Sequence, residues 1–135
     1  MSALIRNNIK ALSLVPLIIT LAGLVGCGAG PRRAAPVDEG LARQLLHEVL
    51  ETWKNGGSLE ALRQESPIVA QDMEWRTGSA LLDYEIVGEG KNDDANLRCP
   101  VKLTVRDKRG RVVKKQVTYI IGTDPVITVF REMSL

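Results

Sequence analysis

Hydrophobic positions change their spacing twice along this chain, dividing it into a leader, a helical part and a β part. From Ala11 to Val25 the sequence ALSLVPLIITLAGLV is apolar almost throughout. Further on, Leu41, Ala42, Leu45, Leu46, Val49, Leu50 and Trp53 recur at steps of three and four, the one-sided stripe of an amphipathic helix. Arg43, Gln44, His47, Glu48 and Glu51 fill its other side. Asp38 stands where an N-cap belongs, and Asn55-Gly56-Gly57 ends the helix, because glycine accepts the left-handed conformation of a C-cap. Ser58 caps a second, short helical turn through Leu62, which Ser66-Pro67 stops. Pro67 to Ala70 reads as a short strand and Asp72 to Arg76 as a turn or a single helical turn, with Trp75 covering an edge of the core.

From Ala80 the period falls to two. Leu82, Tyr84 and Ile86 alternate with Asp83, Glu85 and Val87, and Leu97, Cys99, Val101, Leu103 and Val105 alternate with Arg98, Pro100, Lys102, Thr104 and Arg106. Strict alternation means one dry and one wet face, which predicts an antiparallel sheet. Asp107-Lys108-Arg109-Gly110 is a tight turn leading into a strand from Val112 to Gly122; Thr123-Asp124-Pro125 turns the chain into a last strand, Val126 to Arg131. Pairing Val105 with Val113 and Val101 with Val117 sets Cys99 opposite Tyr119 and Leu97 opposite Ile121, and keeps the apolar residues on one face apart from Lys115 opposite Leu103. A slip of one residue would drive Lys114, Gln116 and Thr118 into the core.

These elements predict an α+β fold: an N-terminal amphipathic helix packed on a curved, roughly four-stranded antiparallel meander. The order resembles the cystatin-like and NTF2-like folds over roughly residues 38–135. The chain is also similar to small bacterial lipoproteins that share the stretches found here as Trp53-Lys54 with Gly56, Arg98 to Thr104, Val117 to Tyr119 and Asp124 to Ile127. That resemblance implies no particular activity.

The leader has the three parts of an export signal: a positive segment with Arg6 and Lys10, the apolar run, and a short junction. The junction Leu24-Val25-Gly26-Cys27 resembles the lipobox of bacterial lipoproteins. The resemblance implies that Leu24, Val25 and Gly26 are recognised by the signal peptidase, that the chain is cut before Cys27, and that Cys27 carries the lipid, with acyl chains such as palmitate. Residues 1–26 are then a signal peptide, 27–37 a lipidated cysteine and tether, and 38–135 the domain. Gly28 to Pro36, rich in Gly and Pro and without apolar periodicity, suits a tether. The competing reading is an uncleaved membrane span, since no charge falls between Lys10 and Arg32; Pro16 and the glycines 23, 26, 28 and 30 weigh against it. Both place the domain outside the cytoplasm, and the lipobox anchors it to the inner or outer membrane.

Composition alters this picture in two ways. At 44% hydrophobic and 25% charged the chain has the balance of a globular protein. The 18 Lys and Arg exceed the 16 Asp and Glu only through Arg6 and Lys10, so the part after residue 26 is neutral and has no global field to collect nucleic acid. Of the two cysteines, Cys27 goes to lipid and Cys99 is left single.

Candidate chemistry is sparse. His47, the only histidine, reads as a solvated helix residue, and with no second His or free Cys pair no metal site is expected. Asn92 to Asn96 lacks the alternating acids and central glycine of a calcium loop and reads as a hairpin loop. If the sheet encloses a pocket, Tyr84, Cys99 and Tyr119 line it, but Asp83 and Glu85 alternate outward and leave it without an acid. From Arg98 to Lys115 run eight basic residues and one acid, Asp107. Asp83, Glu85 and Glu89 are placed to neutralise Arg98 and Lys102 across strands, leaving Lys108, Arg109 and Arg111 as an unpartnered patch for an anion or partner. Cystatin-type protease inhibition is excluded, because Gln116 to Ile120 lacks the valine spacing and glycine of the inhibitory wedge. The expectation is a membrane-anchored envelope module without cofactor or catalysis. Its partners would be membrane lipid through Cys27 and an envelope protein or wall component, not nucleic acid. The alternative is an NTF2-like carrier or enzyme with a pocket inside the sheet.

Overall fold

The computed structural model of the protein describes Gly30 and residues 33–134. The leader, the lipobox residues Leu24 to Gly26, and Cys27 lie outside the described residues. Among the described residues no helix is long and apolar enough to cross a membrane.

Helix α1 spans Glu39–Lys54, and the Asp38 side chain accepts the Leu41 N–H at 3.0 Å, as its N-cap position predicts. Ala42, Leu45, Leu46, Val49, Leu50 and Trp53 are buried, whereas Leu41 stays at the rim. Gly56, at φ +83°, follows the C-cap. Helix α2 is Leu59–Glu65, capped by Ser58; strand β1 is Val69–Gln71; the single turn α3 is Met73–Arg76, capped by Asp72. The β part comprises β2 Ala80–Ile86, β3 Lys91–Asp93, β4 Asn96–Arg106, β5 Val112–Gly122 and β6 Thr128–Arg131.

These strands form one six-stranded sheet in the order β1-β6-β5-β4-β2, with β3 also paired to β4. The sheet curls into an open half-barrel and α1 packs against β2, β5 and β6. The β4–β5 register is the one alternation requires: Val105 faces Val113, Val101 faces Val117, Cys99 faces Tyr119 and Leu97 faces Ile121. The inward residues of β4, from Leu97 to Val105, are all buried, and its outward residues are not.

Three expectations need correction. The sheet has six strands rather than four, and it is mixed, because β1 pairs parallel to β6, with Val69 opposite Thr128 and Gln71 opposite Phe130. A three-residue strand carries no period from which a distant parallel partner can be inferred. Helix α1 lies inside the chain rather than at its start. In β2 the register shifts between Leu81 and Asp83, so the buried residue is Leu81 and not Leu82. A β-bulge inserts one residue and changes the phase of alternation, which puts Tyr84 and Ile86 on the same side as Leu81.

Candidate binding surface

Inside the curl, polar groups gather where α3 meets β5 and β6. Asp72 is 5% exposed; its Oδ1 accepts the N–H groups of Glu74 and Trp75 at 2.9 and 3.2 Å, and Arg131 Nη1 lies 3.4 Å away. Its Oδ2 accepts the Tyr119 hydroxyl at 2.5 Å. Tyr119 and Arg131 are register partners on β5 and β6, so one carboxylate ties three elements together. Arg131 Nη2 also reaches Glu74 Oε1 at 3.2 Å, and Lys115 donates to that same oxygen. Burial would raise the Glu74 pKa, but the hydrogen bonds and charges of Lys115 and Arg131 outweigh it and hold the carboxyl below its ordinary value. Burial, then the charge and hydrogen bond of Asp72, push the Tyr119 phenol well above its usual range. Two acids and two bases balance, so the network is a charge-neutral clamp.

Of the three residues expected to line a pocket, Cys99 and Tyr119 are brought together and Tyr84 stands apart from them. Cys99 and Tyr119 are cross-strand partners, both within the closed core at 0% and 1% exposure. Gly90 lies directly on Cys99: a Cβ there would stand 2.9 Å from the sulfur. Burial pushes the Cys99 thiol up, the opposite of what a nucleophile needs. Tyr84 sits half-buried beside α1, where its hydroxyl donates to Glu51 Oε1 at 2.7 Å and lies 3.2 Å from His47 Nδ1. With its single proton given to Glu51, the phenol oxygen accepts from His47, which requires a proton on Nδ1. The acid absent from β2 is thus supplied by the helix. The signal was the spacing of His47 and Glu51, one turn apart on a single helix face. Burial, then the carboxylate of Glu51, raise the Tyr84 pKa, so the phenol keeps its proton.

The basic hairpin is arranged differently from the cross-strand neutralisation expected of it. Asp83 pairs with Lys54 at 3.6 Å, Glu89 with Arg43 at 3.4 Å, and Arg98 with Glu132. At the tip, Asp107 accepts the N–H groups of Arg109 and Arg111, both at 2.9 Å, and Arg111 Nε at 2.8 Å. These bonds hold its carboxyl below the usual value, the backbone N–H of Arg111 contributing most. Arg111 is therefore partnered, which corrects the expected patch. The end of Lys108 lies over Gly78, where an added Cβ would stand 2.7 Å from Lys108 Cε. Among the described residues, Lys102, Arg106, Lys108, Arg109 and Lys114 have no carboxylate within 4.0 Å.

On the outer face of the sheet, Thr104 is opposite Lys114 and Lys102 is opposite Gln116. Lys102 and Arg106 are thus diagonal neighbours of Lys114, about 7–8 Å away. A shallow groove lined by Asp83, Glu85, Lys102, Thr104, Lys114 and Gln116 runs across this face, so two carboxylates share it with the cations, Glu85 directly opposite Lys102 in register. Sequence alternation placed these cations outward; only the ion pairs formed elsewhere left them free. Among the described residues no group of three or more His, Cys, Asp and Glu side chains is placed to hold a metal ion. No protein-family model, curated protein or solved structure matches this chain.

Proposed function

We propose that the protein is exported, cut before Cys27, and held by lipid on that cysteine, and that its domain is a non-catalytic binding module of the cell envelope. The observation that carries the module reading is the filled interior of the curl: Leu46, Leu50, Leu97, Cys99, Val101, Leu103, Tyr119 and Ile121 are each at most 1% exposed. Side chains occupy the space where an NTF2-like carrier would hold its ligand. A helix held in a curled sheet is in keeping with the cystatin-like and NTF2-like arrangement. The anchor rests on the order of Arg6, Lys10, the apolar run and Leu24 to Cys27.

The test is the intact mass and detergent partition of the protein extracted from bacterial membranes, beside a Cys27→Ser variant. A chain beginning at Cys27 with added lipid mass, lost in the variant, supports the anchor. A full-length, unmodified chain overturns it.

One observation favours a second reading, a small enzyme or carrier: Glu51, Tyr84 and His47 form a connected set of proton-bearing groups. The raised Tyr84 pKa makes that phenol a poor acid and keeps it protonated, donating to Glu51, so no phenolate is populated to act as a base. The set is better read as a clasp between α1 and β2.

A further inference from the structure

Strand β5 is paired along only part of its second edge. One edge runs its full length against β4, from Val112 opposite Arg106 to Gly122 opposite Asn96. On the other edge β6 covers Tyr119 to Gly122, and the Glu132 N–H adds one bond to the Thr118 carbonyl at 2.8 Å. Among the described residues no strand pairs with Val112 to Val117 on that side. The bond at Thr118 sets the phase. In an antiparallel ladder every second residue turns both backbone groups to the same neighbour, so Val112, Lys114 and Gln116 aim theirs away from β4. These three residues are exposed, Val112 at 53%, and so is Val113, at 44% on the inner face. The other strands offer no comparable edge. A bulge breaks β2, which Asp83–Lys54 and Tyr84–Glu51 hold to α1, and β1 has three residues.

We propose that the open edge of β5, from Val112 to Val117, takes an added β-strand from a protein partner, an extended segment that alternates acidic with apolar residues. This rests on the binding-module reading and is independent of the anchor. The added strand pairs the N–H and C=O groups that Val112, Lys114 and Gln116 leave open. Its outward positions meet Lys114 first, with Lys102 and Arg106 behind it on β4. The acids of the groove, Asp83 and Glu85, stand on β2, three strand spacings or about 14 Å from a strand added beyond β5. That is more than a Debye length at physiological ionic strength, so Lys114 sets the sign of charge at the edge. On the inner face Val113 favours a β-branched or other apolar neighbour, while Lys115 is already held by Glu74. A second copy of β5 is the wrong occupant. Antiparallel self-pairing centred on Lys114 or Lys115 sets that lysine against its own copy. Pairing centred on Val113 sets Lys115 against Arg111, and like charges directly opposite each other oppose the pairing.

The experiment uses the membrane-extracted protein in detergent and a labelled peptide of about seven residues that alternates valine and glutamate. An alternating valine–lysine peptide and a proline-interrupted valine–glutamate peptide are the controls. Fluorescence anisotropy reads affinity, and amide hydrogen exchange reads the place. The expected result is binding of the uninterrupted valine–glutamate peptide alone, with exchange at Lys114 and Gln116 slowed about tenfold or more. Lys114→Glu weakens that peptide about fivefold or more and admits the valine–lysine peptide, with unchanged thermal melting. Gln116→Pro removes one outward donor where an edge strand tolerates proline, and weakens binding as well; if that variant melts early, the charge reversal carries the test. Absence of binding at about 1 mM peptide overturns the inference. So does binding undiminished in Lys114→Glu. Binding that leaves the Lys114 and Gln116 amides fast also overturns it, but keeps the module reading and moves its surface elsewhere. Amides at Lys114 and Gln116 that slow with rising protein concentration, without peptide, assign the edge to a second copy and overturn it too.

Discussion

The hydroxyl of Tyr119 on β5 donates a 2.5 Å hydrogen bond to Asp72, the residue that caps α3. Tyr119→Phe removes that donor and leaves a buried carboxylate oxygen short of a partner, with an expected loss of about 1–3 kcal/mol in urea unfolding. Asp72→Asn separates charge from cap, since Asn also caps helices well. It leaves Arg131 with Glu74 alone, so its cost should stay below the about 3–5 kcal/mol of fully breaking a buried pair. A neutral result for both variants would mean the clamp contributes nothing.

The Glu74 carboxyl binds its proton less readily in the folded protein than its ordinary value of 4.5 implies. The unfolded chain therefore takes up the proton first as pH falls. The stabilisation from Glu74 is fully present above about pH 4.5 and is lost as pH drops through the lower folded value. Glu74→Gln should lower stability at pH 7 and flatten its decline below pH 4.5, as read from urea midpoints across pH 3–7. An unchanged acid profile would show that other carboxylates set it.

Tyr84 links β2 to α1 through Glu51 at a half-exposed position. Tyr84→Phe keeps the ring and removes the bond, with an expected cost of about 0.5–1.5 kcal/mol in thermal or urea unfolding. A larger loss would show that the His47–Tyr84–Glu51 set carries more of the helix docking than its exposure suggests.

Gly90 combines φ +83° with van der Waals contact on Cys99. Gly90→Ala forces a Cβ into both constraints and should destabilise by about 2 kcal/mol or more. In the parent protein Cys99 should react with a thiol reagent only as the domain unfolds. A lipidated chain then shows no fast-reacting thiol, whereas an unmodified Cys27 shows one. Fast reaction at Cys99 would mean that the core beneath Gly90 opens readily.

Local patterns in the sequence determined the helix at Glu39–Lys54 with its Asp38 cap, the inward set of β4, and the β4–β5 register, because each follows from a period that burial enforces. Residue order alone also produced the lipobox expectation. What only tertiary structure decided involves partners distant in sequence. The parallel pairing of β1 with β6 joins Val69 to Thr128 across most of the domain, and the bulge in β2 breaks its period at Leu82. The ion pairs were equally out of reach, since a charge on an outward face selects its partner by distance in space. Asp83 chose Lys54 on the helix over Lys102 on the neighbouring strand, and Arg98 chose Glu132. Those choices leave Lys102, Arg106 and Lys114 free. Periodicity fixes the face on which a side chain lies, and packing fixes the group it meets there.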